Sequence, residues 1–175
     1  EFRRVLFRSG DHSIAFDTES VVDNTQVIHL AIKAADFDGD GKLDLIVTNA
    51  GFTTVTVYRN LSVPGQIVFA AGVNFEVGMS DPYVVAVGDV DGDGKTDVVV
   101  GSFNGPISIL LNASSSGSIS FGTANQISTG YVSDLNLADM DGDGKLDIIS
   151  NAGITTYRNL SQPGAVSFAP QYFFF

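Results

Sequence analysis

The stretch DFDGDGKLD at residues 36–44 decides how the rest of this chain is interpreted, because close copies of it occur twice more. It returns as DVDGDGKTD at residues 89–97 and as DMDGDGKLD at residues 139–147. The copies are therefore spaced by about fifty residues. A period of that length predicts an array of similar structural units, because internal repeats of 20–50 residues are typical of solenoids and propellers.

Each copy, called here the first, second or third loop, places aspartates at positions 1, 3, 5 and 9 and glycine at position 6. Carboxylate oxygens at these positions and a backbone carbonyl at position 7 form a ligand set that Ca²⁺ prefers, and a flexible all-oxygen set favours it over Mg²⁺. Glycine at position 6 permits the sharp turn around the ion. We therefore predict about three calcium ions. The predicted ligands, with each lysine acting through its carbonyl, are Asp36, Asp38, Asp40, Lys42 and Asp44; Asp89, Asp91, Asp93, Lys95 and Asp97; and Asp139, Asp141, Asp143, Lys145 and Asp147.

Two other interpretations of the loops fit the sequence less well. A solvated hairpin turn needs a single Asp-Gly pair rather than four aspartates repeated three times. A helical EF-hand needs glutamate at position 12, where this chain has Val47, Val100 and Ser150. Without that glutamate we expect dissociation constants of about 10⁻⁴–10⁻³ M, which are typical of extracellular modules. The loops therefore predict a protein that works outside the cell or on its surface.

The sequence around the loops predicts four short strands per repeat. Residues 32–34, 85–87 and 135–137 lead into the loops as first strands, and branched residues at 45–47, 98–100 and 148–149 predict buried second strands. Third strands are predicted at 53–58, 107–111 and 154–157, and fourth strands at 66–69, 118–121 and 165–168. No segment shows helical periodicity. The pattern predicts an all-β fold, a partial β-propeller of about three four-stranded blades with a calcium loop between strands 1 and 2 of each blade.

The predicted domain organisation is a single propeller segment. Residues 1–9, EFRRVLFRS, match no repeat and are interpreted as an adapter-derived artefact. Residues 10–175 then form the repeat segment, with an orphan strand at 13–16 and repeats at about 27–70, 82–122 and 132–169. Three blades cannot close a ring, so we expect the remaining blades of a parent protein, or partner chains, to complete it.

Charge and composition exclude several function classes. The net charge is −11, and 12 of the 20 acidic residues lie in the three loops. A chain of this charge would repel nucleic acid, so no nucleic-acid partner is expected. No apolar run approaches the length of about 18 residues that spans a bilayer, so no membrane insertion is expected. The absence of cysteine excludes disulfides and thiolate chemistry.

Other candidate sites are weaker. We predict no catalytic residues, although a calcium-dependent lyase could use Lys42, Lys95 or Lys145 as a base. The three Asn-x-Ser sequences at Asn60, Asn112 and Asn159 match the glycosylation pattern, but their repetition favours a structural turn. Aromatic residues that do not repeat are better candidates for a ligand surface, and they are Phe52, Phe75, Tyr83, Phe103 and Tyr131.

The loops, together with the phrases YRN at 58–60 and 157–159, resemble the FG-GAP or VCBS repeats of bacterial secreted and surface proteins. They are also similar to the calcium-binding blades of the integrin α-subunit β-propeller. The resemblance implies a non-catalytic calcium-binding module. Such a module would serve in adhesion, or it would bind a ligand that is either a protein or a carbohydrate. The alternative that it leaves open is a scaffold or part of an extracellular carbohydrate-active enzyme such as a polysaccharide lyase.

Overall fold

A computed structural model describes residues 27–103, 105–127, 131–151, 154–169 and 172–173. Within these ranges the chain forms twelve β-strands and no helix, so none of the described segments is a helix that could cross a membrane. The predicted orphan strand at 13–16 and the segment 1–9 lie outside the described residues. The all-β prediction is confirmed.

The strands form three separate antiparallel sheets of four strands each, called here the first, second and third blade. Within each blade the strands pair in chain order, which is consistent with blades of a partial propeller. The strands are β1 (His29–Ala35), β2 (Asp44–Asn49), β3 (Thr54–Tyr58) and β4 (Val73–Glu76); β5 (Pro82–Gly88), β6 (Asp97–Ser102), β7 (Ile107–Leu110) and β8 (Asn125–Ile127); and β9 (Leu135–Ala138), β10 (Asp147–Ser150), β11 (Thr155–Tyr157) and β12 (Tyr172–Phe173).

The first three strands of each blade lie where the sequence predicted them, to within a few residues, but the prediction of the fourth strand was wrong. The segments at 66–69, 118–121 and 165–168 make only isolated bridges, such as Asn60 with Phe69, that extend the turn after the third strand. The fourth strands β4 and β8 begin a few residues later, and β12 also follows its predicted segment. Two short segments follow every third strand, and the sequence alone does not say which one completes the sheet.

The core lies between neighbouring blades. One cluster joins the first and second blades around Phe37, Ile46 and Val98, and another joins the second and third around Val99 and Ile148. The central strand β6 is buried along its whole length, and β2 and β10 are buried except at Leu45 and Ile149, as their apolar sequence predicted. Each fully buried aliphatic side chain stabilises the fold by roughly 1.5–3 kcal/mol. The blades are therefore held together mainly by the faces they share.

The first strands of the second and third blades approach each other closely. Gly88 ends β5, and a Cβ atom built there would lie 2.7 Å from Leu146 Cδ1 and 3.2 Å from Leu137 Cδ1 of the third blade. A side chain at this position would require Leu146 and Leu137 to shift. The glycine thus permits the contact between the second and third blades.

The outer face of the first blade differs from the faces inside the array. Val85 in β5 is fully buried, whereas Ile32, its counterpart in β1, is 59% exposed. Ile28 and Leu30 beside it are also exposed. No described residue covers this apolar face.

Candidate metal centre at the blade junctions

The three loops have nearly the same backbone, which is organised by the aspartate at position 1. In the first loop Asp36 accepts hydrogen bonds from Gly39 N and Gly41 N, both at 2.8 Å. Asp89 and Asp139 make the equivalent bonds in the second and third loops. Gly41 has φ of 85°, a left-handed conformation in which a side chain would be strained. The carboxylates are thus gathered by the sequence of the loop itself.

The aspartate at position 9 joins the loop to the turn that follows the third strand of its blade. Asp97 accepts hydrogen bonds from Val90 N and from Asn112 N, both at 2.8 Å. Asp44 and Asp147 repeat this pattern at the corresponding positions. All three of these aspartates are buried. The residue at position 9 is therefore a structural link as well as a predicted metal ligand.

Three groups of carboxylates lie close enough to share one cation, with one oxygen from each residue within 4.8 Å of the others. They are Asp36, Asp38 and Asp40; Asp89, Asp91 and Asp97; and Asp139, Asp141 and Asp147. The remaining predicted side-chain ligands, Asp44, Asp93 and Asp143, fall outside these groups. The carbonyl ligands assigned to Lys42, Lys95 and Lys145 stay predictions. An all-oxygen donor set of this kind suits a hard divalent cation.

An arginine already occupies a cationic position beside two of the loops. Arg59 Nε lies 2.6 Å from Asp38 Oδ2, and its Nη2 lies 2.9 Å from Asp40 Oδ2. Arg158 makes the same pair of contacts with Asp141 and Asp143, at 2.5 and 3.2 Å. A guanidinium fork bound to two carboxylates shows that these oxygens point towards a shared positive charge. Asp38 and Asp40 both belong to a group that could share a cation, whereas of the two partners of Arg158 only Asp141 does.

The second loop has no such arginine. The residue that corresponds to Arg59 and Arg158 is Leu111, which packs against the apolar core between the second and third blades. Among the described residues, no basic side chain makes an ion pair with Asp91 or Asp93. The charge of the second loop is therefore less compensated than that of the other two.

The first and second loops lie at the junctions between blades, where the next blade contributes backbone N–H groups. Asp38 Oδ2 accepts a hydrogen bond from Gly117 N at 3.0 Å, across 79 residues of sequence. Asp91 Oδ2 accepts one from Gly164 N at 2.6 Å. The third loop has no following blade among the described residues, and Asp141 is exposed. The aspartate at position 3 thus belongs both to a loop and to a junction.

The Asn-x-Ser turns complete these junctions from the other side. Asn112 Nδ2 donates to Phe37 O at 2.9 Å in the preceding blade and to Thr96 O at 2.8 Å in its own. Its Oδ1 accepts from Ser114 N at 2.8 Å. Asn159 repeats this pattern with Val90 O. Because Asn112 and Asn159 are buried, the interpretation of this sequence as a structural turn is confirmed.

Burial and hydrogen bonding shift the pKa values of the loop aspartates in opposite directions. Burial raises the pKa of Asp97 to about 6, although backbone hydrogen bonds from Asn112 and Val90 oppose it. Burial likewise raises the pKa of Asp44. Burial also pushes the pKa of Asp38 upward, but the hydrogen bonds from Arg59 and Gly117 outweigh it, so the pKa of Asp38 lies below its usual value. Burial thus dominates the pKa of Asp97, whereas hydrogen bonds dominate that of Asp38.

Two of the three loop lysines have structural partners. Lys95 Nζ lies 3.2 Å from Ser114 O, and Lys145 Nζ lies 2.8 Å from Ser161 O. Both bonds hold the loop to the Asn-x-Ser turn of the same blade.

Three of the predicted ligand-surface aromatics form a cluster on the side of the second blade opposite its loop. The ring centroids of Tyr83 and Phe103 are 5.5 Å apart, and those of Phe103 and Tyr131 are 4.4 Å apart. Phe103 is 41% exposed and Tyr131 is 45% exposed. Phe52 is exposed in the corresponding hairpin of the first blade, whereas Phe75 packs against Phe121 in the core. Phe75 is therefore the least suited of the five to a ligand surface.

Sequence reasoning missed two features of the centre. The YRN phrase was noticed, but the position of Arg59 over the first loop depends on where the third strand ends. The junction bonds from Gly117 and Gly164 connect residues more than 70 positions apart, and a glycine in a hairpin carries no signal for such a partner. One signal in the sequence could have indicated a role for Arg59 beside the loop. The corresponding residue is also arginine in the third blade, at Arg158, but is leucine in the second, at Leu111.

Comparison with models of known protein families finds a repeat family. The model of the FG-GAP-like repeat matches residues 36–100 and again residues 89–150. Each match runs from one acidic loop through the second strand of the next blade, so the matched unit contains the loops and the junction between them. A search of curated proteins found no match.

Proposed function

The chain belongs to the FG-GAP-like repeat family, and from this premise we propose that it is a non-catalytic, calcium-binding propeller module that binds a ligand outside the cell. The observation that carries the proposal is the presence of a carboxylate cluster at the same position in all three blades. If the metal stabilises the blade, each blade needs its own ion, and this explains why every blade has a carboxylate cluster. Repeats of this family are typical of extracellular proteins, which supports the proposed location.

Calcium fits the donor set better than other cations. The clustered oxygens are all hard ligands, and the guanidinium of Arg59 lies where two of them converge on positive charge. Bound calcium would neutralise the repulsion between carboxylates, which amounts to roughly 3 kcal/mol for two unit charges about 5 Å apart at an effective dielectric of about 20. The ion would therefore strengthen the loop in which it lies.

The same ion would also strengthen the contact between blades. Asp38 and Asp91 each accept a hydrogen bond from a backbone N–H of the next blade. Fixing these side chains on calcium would fix the junction to which they belong. With a dissociation constant of about 10⁻⁴ M and about 1 mM calcium, each site would add about 1.4 kcal/mol to stability. Calcium at extracellular concentration would thus act in place of disulfides.

Calorimetric titration of the calcium-free protein tests this role. We expect heat of binding for about three ions, together with a rise in the melting temperature. Asp38→Ala should remove most of the rise contributed by the first blade, since it removes a ligand. Asp134→Ala, an exposed acidic residue outside the loops, is the matched control and should leave the rise intact. Absence of any binding heat would refute the calcium proposal.

We propose the aromatic cluster of Tyr83, Phe103 and Tyr131 as the ligand surface. Exposed aromatic rings suit the apolar faces of sugar rings, and a side of the blade away from the loops remains free when calcium is bound. A glycan array with and without chelator tests this idea. Phe103→Ala should abolish binding, whereas Phe52→Ala, in the equivalent hairpin of the first blade, should not. Equal effects of the two variants would point to a different surface.

A further inference from the structure

The loops differ in one cationic neighbour: Arg59 and Arg158 bind the first and third loops, and Leu111 replaces them in the second. We propose that these arginines are resident counter-cations that hold the first and third loops together without metal and lower their affinity for calcium. The second loop is then the site that calcium fills first. This inference rests on the proposed function, because it assigns an order to the calcium sites.

The contacts of Arg59 explain why it should compete with a metal ion. Its guanidinium binds the carboxylates of Asp38 and Asp40, and these belong to the group of three that could share a cation. A calcium ion must either displace the guanidinium or bind beside it. In the second case, a unit charge about 6 Å from a dication at a dielectric of about 80 weakens binding about tenfold.

The second loop lacks this competitor but keeps the rest of the centre. Asp91 accepts its junction bond from the backbone of Gly164, which carries no formal charge. The only basic residue of the loop, Lys95, donates its Nζ to Ser114 O. Affinity for calcium in oxygen-ligand loops depends on the charge of the ligand set. The second loop therefore offers calcium the more negative site.

The first and second loops give the cleanest comparison, because both are covered by a following blade. Asp38 and Asp91 are equally buried, and each accepts one backbone N–H from the next blade. The third loop is more exposed, so solvent as well as Arg158 affects it. A difference in affinity between the first and second loops can then be assigned to Arg59.

The glycine at position 6 provides a separate reporter for each site. Gly41, Gly94 and Gly144 each donate a backbone N–H to the aspartate at position 1 of their loop, at 2.8–2.9 Å. Calcium bound to that carboxylate will change the chemical shift of the amide. Titrating the labelled protein with calcium chloride and following these three amides by NMR measures three midpoints in one sample.

We expect the Gly94 amide to respond at about tenfold lower calcium concentration than the Gly41 amide. Arg59→Leu, which installs the residue of the second blade, should move the Gly41 midpoint to that of Gly94 and leave the Gly94 midpoint unchanged. In chelator, the same variant should speed hydrogen exchange at the Gly41 amide, because the unpaired carboxylates repel each other. Arg59→Gln, which retains hydrogen-bond donors without the charge, should give the same midpoint shift.

Coincident midpoints in the unmodified protein, or a weaker Gly41 response in Arg59→Leu, would overturn the inference and leave the calcium proposal standing. If none of the three amides responds to calcium, the proposed function itself fails, and the inference with it. Should Arg59→Leu not fold, Arg158→Leu at a more exposed position provides the second test. It should move the Gly144 midpoint to lower calcium concentration by a similar factor, and an unchanged or higher midpoint would contradict the inference.

Discussion

The first and third loops differ at a single residue, Phe37 against Met140, and both are bound by an arginine, yet their surroundings are very different. Phe37 is 2% exposed and Met140 is 59% exposed. The side chain of Asp38 is fully buried, and that of Asp141 is 38% exposed. Since the loops themselves are nearly identical, the difference comes from the second blade, which covers the first loop.

This comparison shows that a loop of this kind becomes buried only when the next blade is in place. The next blade contributes the Asn-x-Ser turn, the hairpin glycine and an aromatic residue that closes over position 2. The isolated loop can gather carboxylates, but it cannot exclude water from them. Stability should therefore depend on the junction residues much more than on the same residues at the uncovered end.

The largest effect should come from the residue at position 2. Phe37 lies in the core between the first two blades, and its ring packs edge-on against Phe121 at 5.6 Å. Phe37→Ala should lower the free energy of unfolding by about 3–5 kcal/mol because it leaves a cavity. Met140→Ala, the matched variant at the exposed end, should change it by less than about 0.5 kcal/mol. Urea denaturation measures both, and similar losses would show that the third loop is covered in solution.

The loops and their strands illustrate what the sequence could predict. The spacing of Asp36, Asp38 and Asp40 around glycine requires no distant partner, so it indicated a cation site from local sequence alone. The unbroken apolar run in β6 predicted a strand with two covered faces, and Val98 and Val99 are fully buried. Local sequence patterns were sufficient to predict those features that depend on residues close together in the chain.

Features that depend on distant residues were not predictable. The fourth strand was placed too early because two short segments follow β3. The earlier one only forms the bridge between Asn60 and Phe69, whereas the later one is β4, which pairs with β3. Pairing is decided by which segment reaches the free edge of β3, and that depends on the length of the intervening turn. The contact of Asp38 with Gly117 likewise requires the relative position of two blades. Neither quantity is contained in a local pattern.

An intermediate effect should come from the asparagine of the Asn-x-Ser turn. Asn112→Ala should cost about 2–3 kcal/mol, because it leaves the buried carbonyls of Phe37 and Thr96 without this donor. Asn60 makes the same bonds within its own blade, to Leu43 O and from Ser62 N, but it is only partly buried. Asn60→Ala should therefore cost about 1 kcal/mol. Equal costs for the two variants would mean that the bond across the junction contributes little.

The smallest effect should come from the serine of the same turn, where a local measurement separates the first blade from the second. Ser114 Oγ accepts a hydrogen bond from Ser120 N at 3.0 Å and is buried, whereas Ser62 Oγ accepts from Val68 N at 2.9 Å and is partly exposed. Ser114→Ala should cost about 1 kcal/mol and Ser62→Ala about half of that, since water can replace the second bond but not the first. Hydrogen exchange at the Ser120 and Val68 amides measures these losses directly. Faster exchange at Val68 in its variant than at Ser120 in the other would reverse the expected order and show that the turn is stabilised within its own blade.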